Sequence, residues 1–441
     1  MILNVLKSNE FSKLFKTVLI IEEDNISIEQ NCLIKSHTLE NVPLRNYLIG
    51  SEGDFKIINY LESKRFEKFE NYILTDESNE LFIKQGIKIY SKDHLEKVFN
   101  IKSKDLSDKE VEKLRDKFYE KFTSKLKTEK FCFPYVKTKN ISKFIINDSD
   151  IELYLPKDIS NLERPRTEDI LLENRILISR TSDKFKAVFI KENSDRIYPT
   201  AHINTIKLSN SDYYFYTAIL NSKIIEYYLK VKFWQRINAG FPRVNQDSIL
   251  QIPIPLNKNI EIVEKITELS KQLTNKDVKF EEKEQELNSL IYNLYGIGII
   301  EKQRINDFFI KDKEPVKTKE LENYANEFCE YFSDFLNSET KIVTDVFNEE
   351  NLVKGISIVK IYFGNKGLEY PKSQKVGRAL LFELLKYTDQ ASILSLKKRL
   401  YGENSIYIIK GNLKKSWSLT KANEDAIDEL NKIFKHKSKK N

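Results

Sequence analysis

The apolar pattern of this chain changes period along its length, and that change limits the fold more than any single motif does. Over residues 54–69 and 102–127, and again after Pro255, apolar side chains recur every three or four residues, the spacing of one helix face. Between Phe131 and Pro255 they come in short runs broken by Pro, Asn and Asp, as strands do. Three runs there, 175–180, 186–191 and 202–208, alternate β-branched or aromatic residues and predict strands. A helix is predicted among them over 213–233, with Leu220, Ile224, Tyr227, Tyr228 and Val231 at helical spacing. The fold class is therefore α+β, with a mixed α/β unit in the middle of the chain.

Four segments follow from this pattern. An N-terminal region, 1–128, ends in an amphipathic helix, and the mixed unit occupies 129–256. Pro253 and Pro255 are expected to close that unit, because proline continues neither a ladder nor a helix interior. A helical spacer, 257–312, is read as an antiparallel pair over 260–273 and 281–294 with a third helix at 301–309. Residues 318–441 predict a small C-terminal α+β domain of unknown role, with helices around Phe328, at 379–387 and at 425–434, and strands near 356–363 and 406–410. The stripes of the helix pair, Leu269 and Leu273 among them, exceed what one hairpin needs to bury, so a partner surface is expected there.

At 441 residues the chain exceeds the usual size of one domain, and 40% hydrophobic residues exclude a disordered polymer even with 32% charged residues. The net charge of +7 permits a polyanion partner without requiring one. Three widely spaced cysteines give neither a disulfide framework nor a CxxC site, and the longest early apolar run, 14–21, is too short to span a membrane. A cytoplasmic location without membrane association is expected.

The signatures of catalysis are missing. No two of the ten prolines are adjacent, which excludes the Asn/Asp-Pro-Pro-aromatic loop that holds a flipped base in amino-methyltransferases. Gly296 and Gly298 lack the third glycine of a dinucleotide loop and follow a helix, and no GxxxxGK[ST] stretch occurs. Asp54 with Glu62 and Lys64 has the spacing of a metal-dependent nuclease, a match that arises by chance in a chain this charged. The four histidines have no ligand-spaced neighbours. No catalytic residue, cofactor or metal is assigned.

Five strings in the middle third carry a resemblance. They are Phe133-Pro134-Tyr135-Val136-Lys137, Ile176 to Thr181, Ala218 to Lys223, Phe241-Pro242-Arg243-Val244 and Gln251-Ile252-Pro253-Ile254-Pro255. In this order they resemble the C-terminal specificity domain of Taq-type adenine methyltransferases and of type IIG restriction-modification enzymes. The closing Ile-Pro-Ile-Pro is also similar to one half of a type I specificity subunit. The resemblance implies a target-recognition domain that binds double-stranded DNA for restriction and methylation in cellular defence. It also implies an adenine-N6 methyltransferase or nuclease partner, since no catalytic motif precedes Phe131.

The residues themselves agree with DNA binding. Lys223, Lys230, Lys232, Arg236 and Arg243 fall close together, with Glu226 the one acid among them, and are interleaved with Tyr227, Tyr228, Phe233 and Trp234. Tyr227 and Tyr228 read better as core, and Arg236 and Arg243 better as DNA contacts. Arg180, Thr181 and Lys184 form a second candidate set where a strand runs into a loop; salt bridging within the domain is the ordinary alternative for Arg180. Two other readings stay open: a divergent self-contained endonuclease using the first hundred residues, and a structural interaction protein built on the helix pair.

Overall fold

The computed structural model describes residues 2–4, 16–21, 26–30, 52–101, 107–167, 169–180, 184–192, 196–233, 244–275, 279–311, 313–333, 340–348, 356–365, 397–402 and 404–437. The chain divides into two compact units, residues 1–20 with 29–297 and residues 21–28 with 298–441.

Three strands come first, β1 (Ile2–Asn4), β2 (Lys16–Ile21) and β3 (Ile26–Gln30), in sheet order β1-β2-β3. Helix α1 (Glu52–Leu61) precedes β4 (Phe66–Lys68) and β5 (Ile83–Gln85). The helical spacing read over 54–69 thus ends early, because Phe66 is taken into a strand that pairs far along the chain. Helix α2 (Lys92–Val98) leads to α3 (Asp108–Phe122), where the Glu110 carboxylate accepts the Ser107 N–H at 2.9 Å. Helix α3 is shorter than the amphipathic stretch predicted over 102–127. The Thr123 hydroxyl bonds back to the Tyr119 carbonyl at its end, and Leu126 beyond it is exposed.

The middle segment holds β6 (Phe133–Val136), β7 (Tyr154–Leu155), α4 (Asp169–Leu172), β8 (Arg175–Ser179), β9 (Ala187–Ile190), β10 (Tyr198–Pro199) and β11 (Ile203–Ile206). The predicted strands appear as β8, β9 and β11. They join β5 in an antiparallel sheet of order β5-β11-β8-β9, with Asn204 opposite Gln85 on one side and Ile178 on the other. One face buries Leu177, Val188, Ile190 and Ile203 against Val136, Ile141 and Ile146.

Helices α5 (Tyr213–Asn221) and α6 (Lys223–Lys232) follow, so the single helix predicted over 213–233 is two. Ser222 is extended at the break and its hydroxyl caps α6, accepting from the Ile225 N–H. The Asn221 side chain bonds both backbone groups of Ala187, at 2.9 and 2.8 Å, which fixes α5 to β9.

After α7 (Gln246–Leu250), Pro253 and Pro255 do not stop the structure. They lie in β12 (Pro253–Pro255), antiparallel to β4. The ladder bonds fall on the alternate residues: the Phe69 N–H donates to Ile252 and the Leu256 N–H to Arg65. Each proline therefore occupies a position whose backbone nitrogen faces away from the partner strand.

Helices α8 (Ile260–Leu273) and α9 (Phe280–Leu294) complete the first unit. Ile266, Leu269 and Leu273 are buried, and the Ser270 hydroxyl donates to the Tyr214 carbonyl of α5 at 2.7 Å. The leucines expected to serve a partner are therefore core of this unit. Helix α9 ends at Gly296, whose φ of 65° suits glycine; its N–H reaches Asn293 and that of Ile297 reaches Tyr292.

The second unit contains α10 (Ile299–Phe308), α11 (Thr318–Ser333), β13 (Thr340–Phe347), β14 (Ile356–Asn365), β15 (Lys397–Tyr401), β16 (Ser405–Gly411) and α12 (Leu419–Lys437). Its sheet is antiparallel in the order β13-β14-β16-β15. Tyr324, Phe328 and Phe332 of α11 pack with Val359, Ile361, Ile408, Trp417, Ala422 and Ala426. The helix predicted at 379–387 lies outside the described residues.

These units cut across the four predicted segments. Residues 52–101 give strands to two sheets of the middle segment, and α10 belongs to the second unit. Among the described residues no helix is long and apolar enough to cross a membrane.

Candidate nucleic-acid interface

One end of the β5-β11-β8-β9 sheet gathers the last residues of β5 and β8 with the first residues of β9 and β11. Arg180, just past β8, donates its N–H to the His202 carbonyl at 2.9 Å and accepts at its own carbonyl from the Val244 N–H at 3.1 Å. Val244 directly follows the stretch that carries Arg236 and Arg243. That backbone bond sets Val244 against Arg180 at this sheet end. Lys184 is exposed. Thr181, Arg236 and Arg243 themselves lie outside the described residues.

The lysines of α6 are placed elsewhere. The Lys223 backbone N–H donates to the Asn288 side chain of α9 at 2.7 Å. Lys230 pairs with Glu226 at 3.1 Å, one turn back on the same helix. Lys232 pairs with Glu62 and lies over the rings of Phe233 and Tyr228, at 5.1 and 5.7 Å. Its burial pushes the ammonium down to about 8. Lys230 and Lys232 thus have their charges answered within the fold, the ordinary alternative to phosphate contact.

The tyrosines between them are core, as their spacing favours. The Tyr227 hydroxyl donates to buried Asp54 at 2.8 Å and the Tyr228 hydroxyl to Glu62 at 3.0 Å. Both acids of the nuclease-like spacing are thereby engaged by α6. Among the described residues no group of three or more His, Cys, Asp or Glu side chains is placed to hold a metal ion.

Several residues at the sheet end are not singled out by the sequence reading. Arg164 donates from Nη1 to the Gln85 side-chain oxygen at 3.1 Å, and Arg166 from Nε to the Gly86 carbonyl at 3.4 Å. Gln246, at the start of α7, donates to the Ile83 carbonyl at 3.0 Å and to Asn204 at 3.4 Å. His202 is exposed beside Arg180. The overlooked signal is Arg164-Pro165-Arg166: a proline holds the backbone extended, and residues two apart on an extended chain point the same way. Gly86 makes this close assembly possible, since a Cβ there would stand 2.2 Å from the Pro199 carbonyl oxygen and 2.4 Å from that of Thr200.

The sequence of this region matches the family of the TaqI-like C-terminal specificity domain over residues 133–254. Over those residues the chain is similar to a TaqI-like specificity domain. Two strands that complete it in space, β4 and β5, come from outside the matched residues: β5 extends its main sheet and β4 pairs with its last strand. Among solved structures, the type IIG restriction endonuclease BpuSI is similar, at 11% identity and a TM-score of 0.32 over 57% of this chain and 33% of that one. The chain thus spans about a third of the length of that enzyme. No curated protein matches it.

Proposed function

We propose that this chain is the sequence-recognition component of a restriction-modification system. It binds duplex DNA at the loop end of the β5-β11-β8-β9 sheet and directs an adenine-N6 methyltransferase or a nuclease supplied elsewhere. The observation that carries the reading is the Val244 to Arg180 backbone bond, which sets Arg180 beside the residue that follows Arg243 in sequence, at one sheet end of the segment similar to a specificity domain. Arg180, Thr181, Lys184, Arg236 and Arg243 are assigned to DNA, with backbone contacts orienting the duplex and base-edge contacts reading it. Lys230 and Lys232, paired with Glu226 and Glu62, are left to the fold, and Lys223 stays with the DNA candidates. In a mobility-shift titration the protein binds duplex DNA with log K falling as log salt rises, by about 0.9 per phosphate neutralised. Binding that does not change between low and physiological salt removes this reading. Incubated alone with a labelled methyl donor, or with Mg²⁺ and plasmid, the chain is expected neither to methylate nor to cut.

A further inference from the structure

We propose that Arg164, braced by Gln85, reads a guanine in the DNA target; the proposal rests on the reading of the sheet end as the DNA interface. Its backbone is fixed first. The Glu163 N–H bonds the Ile89 carbonyl and the Arg164 N–H that of Lys88, both at 3.1 Å, and Pro165 follows. The side chain is fixed second, by the Nη1 bond to Gln85, the last residue of β5 and itself held opposite Asn204 in the sheet. Among the described residues no carboxylate lies within ion-pair distance of this guanidinium; the adjacent Glu163 pairs with Lys88 at 2.7 Å instead.

A neutral amide brace does what a carboxylate cannot. It restricts the rotamers of the arginine while leaving its full positive charge and its other N–H donors unspent. Arg164 is also only partly buried. A guanidinium pre-set in this way loses less conformational freedom on binding, and its planar fork matches the O6 and N7 acceptors of guanine in the major groove. A phosphate needs only a point charge, which an exposed lysine such as Lys184 supplies.

The test is selection of binding sites from a randomised duplex library by the full chain and by Arg164→Ala, Arg164→Lys and Gln85→Ala. The unaltered protein is expected to enrich a motif with a fixed G·C pair. Arg164→Ala loses that position alone, with affinity for the best site falling about ten- to a hundredfold. Arg164→Lys keeps the charge and a fold like that of the parent, yet does not restore the position, and Gln85→Ala blurs it. If the alanine variant still selects every position, or weakens binding equally on all sequences and is rescued by lysine, Arg164 is not a base reader and the proposal falls. A parent protein that selects no motif and binds without salt dependence defeats the DNA reading itself, a result distinct from either of these.

Discussion

Arg164 in the first unit and Arg399 in the second are both partly buried arginines close to an antiparallel sheet, and they are answered in opposite ways. Arg399, on β15, meets Asp425, Asp428 and Glu429 of α12 at 2.8, 2.7 and 2.8 Å. These carboxylates outweigh its burial and hold the guanidinium well above its ordinary range. Its neighbour Lys410 also pairs with Asp425, bonds the Ser416 carbonyl at 2.8 Å and lies over the Tyr324 and Trp417 rings. This network fastens α12 to the sheet. Arg164 meets one neutral amide at 3.1 Å. A cation answered by carboxylates is spent on the fold, whereas one answered by an amide is positioned and still charged.

The largest effect that would break this contrast is in the second unit. Asp425→Ala takes a carboxylate from both Arg399 and buried Lys410, and is expected to cost about 3–5 kcal/mol. Urea unfolding followed by Trp417 fluorescence, with Trp234 changed to Phe, measures it; a variant as stable as its parent would mean that the network is not structural. Gly86→Ala forces a methyl group into two carbonyl oxygens and is expected to cost about 1–3 kcal/mol while weakening DNA binding, since the sheet end must move. Unchanged melting and unchanged retention on a DNA column would show that the sheet end tolerates displacement.

Two smaller effects sharpen the comparison. Lys232 is a buried cation of the first unit, held at about 8 against an ordinary 10.5. The folded chain therefore bears a penalty below about pH 8 that is relieved as pH rises through 8 toward 10.5. Measured against Lys232→Met, which has no group titrating there, the parent should gain stability as the pH is raised from 8 to 10. A parent that loses ground to the variant over that range would contradict the direction assigned to Lys232. Smallest of all, Arg164→Ala should change stability by no more than about 0.5 kcal/mol, because its single amide bond does little for the fold. A loss on the scale of Asp425→Ala would make the two arginines alike.

What could be read from the sequence was what lies close along it. Strands β8, β9 and β11 and helices α8 and α9 follow from local alternation and helical spacing, and the similarity to a specificity domain from five short strings. Pairings distant in sequence were not legible. Nothing local to Phe66 tells it to leave a helical pattern and meet Pro255, and nothing local to 83–85 joins it to β11. Lys232 looked like a phosphate ligand because its local neighbours are aromatic, while the acid that answers it is Glu62, far away in the chain. Arg164 escaped notice for the same reason: its meaning depends on Gln85, brought to it by the sheet.

The pairing of β5 with β11 and of β4 with β12 also sets a timetable for synthesis. Residues 66–85 leave the ribosome early, but their partner strands at 203–206 and 253–255 are made more than a hundred residues later. Until then β4 and β5 have no ladder, and closing such distant contacts is slow. At about 5–20 residues per second, the early strands stay unpaired for on the order of ten seconds or more. The sheets that β4 and β5 complete are therefore expected to appear late and all at once, when β12 emerges. A nascent chain stalled before residue 255 should remain open to protease at 66–85, and one stalled after α9 has cleared the ribosome should be protected there.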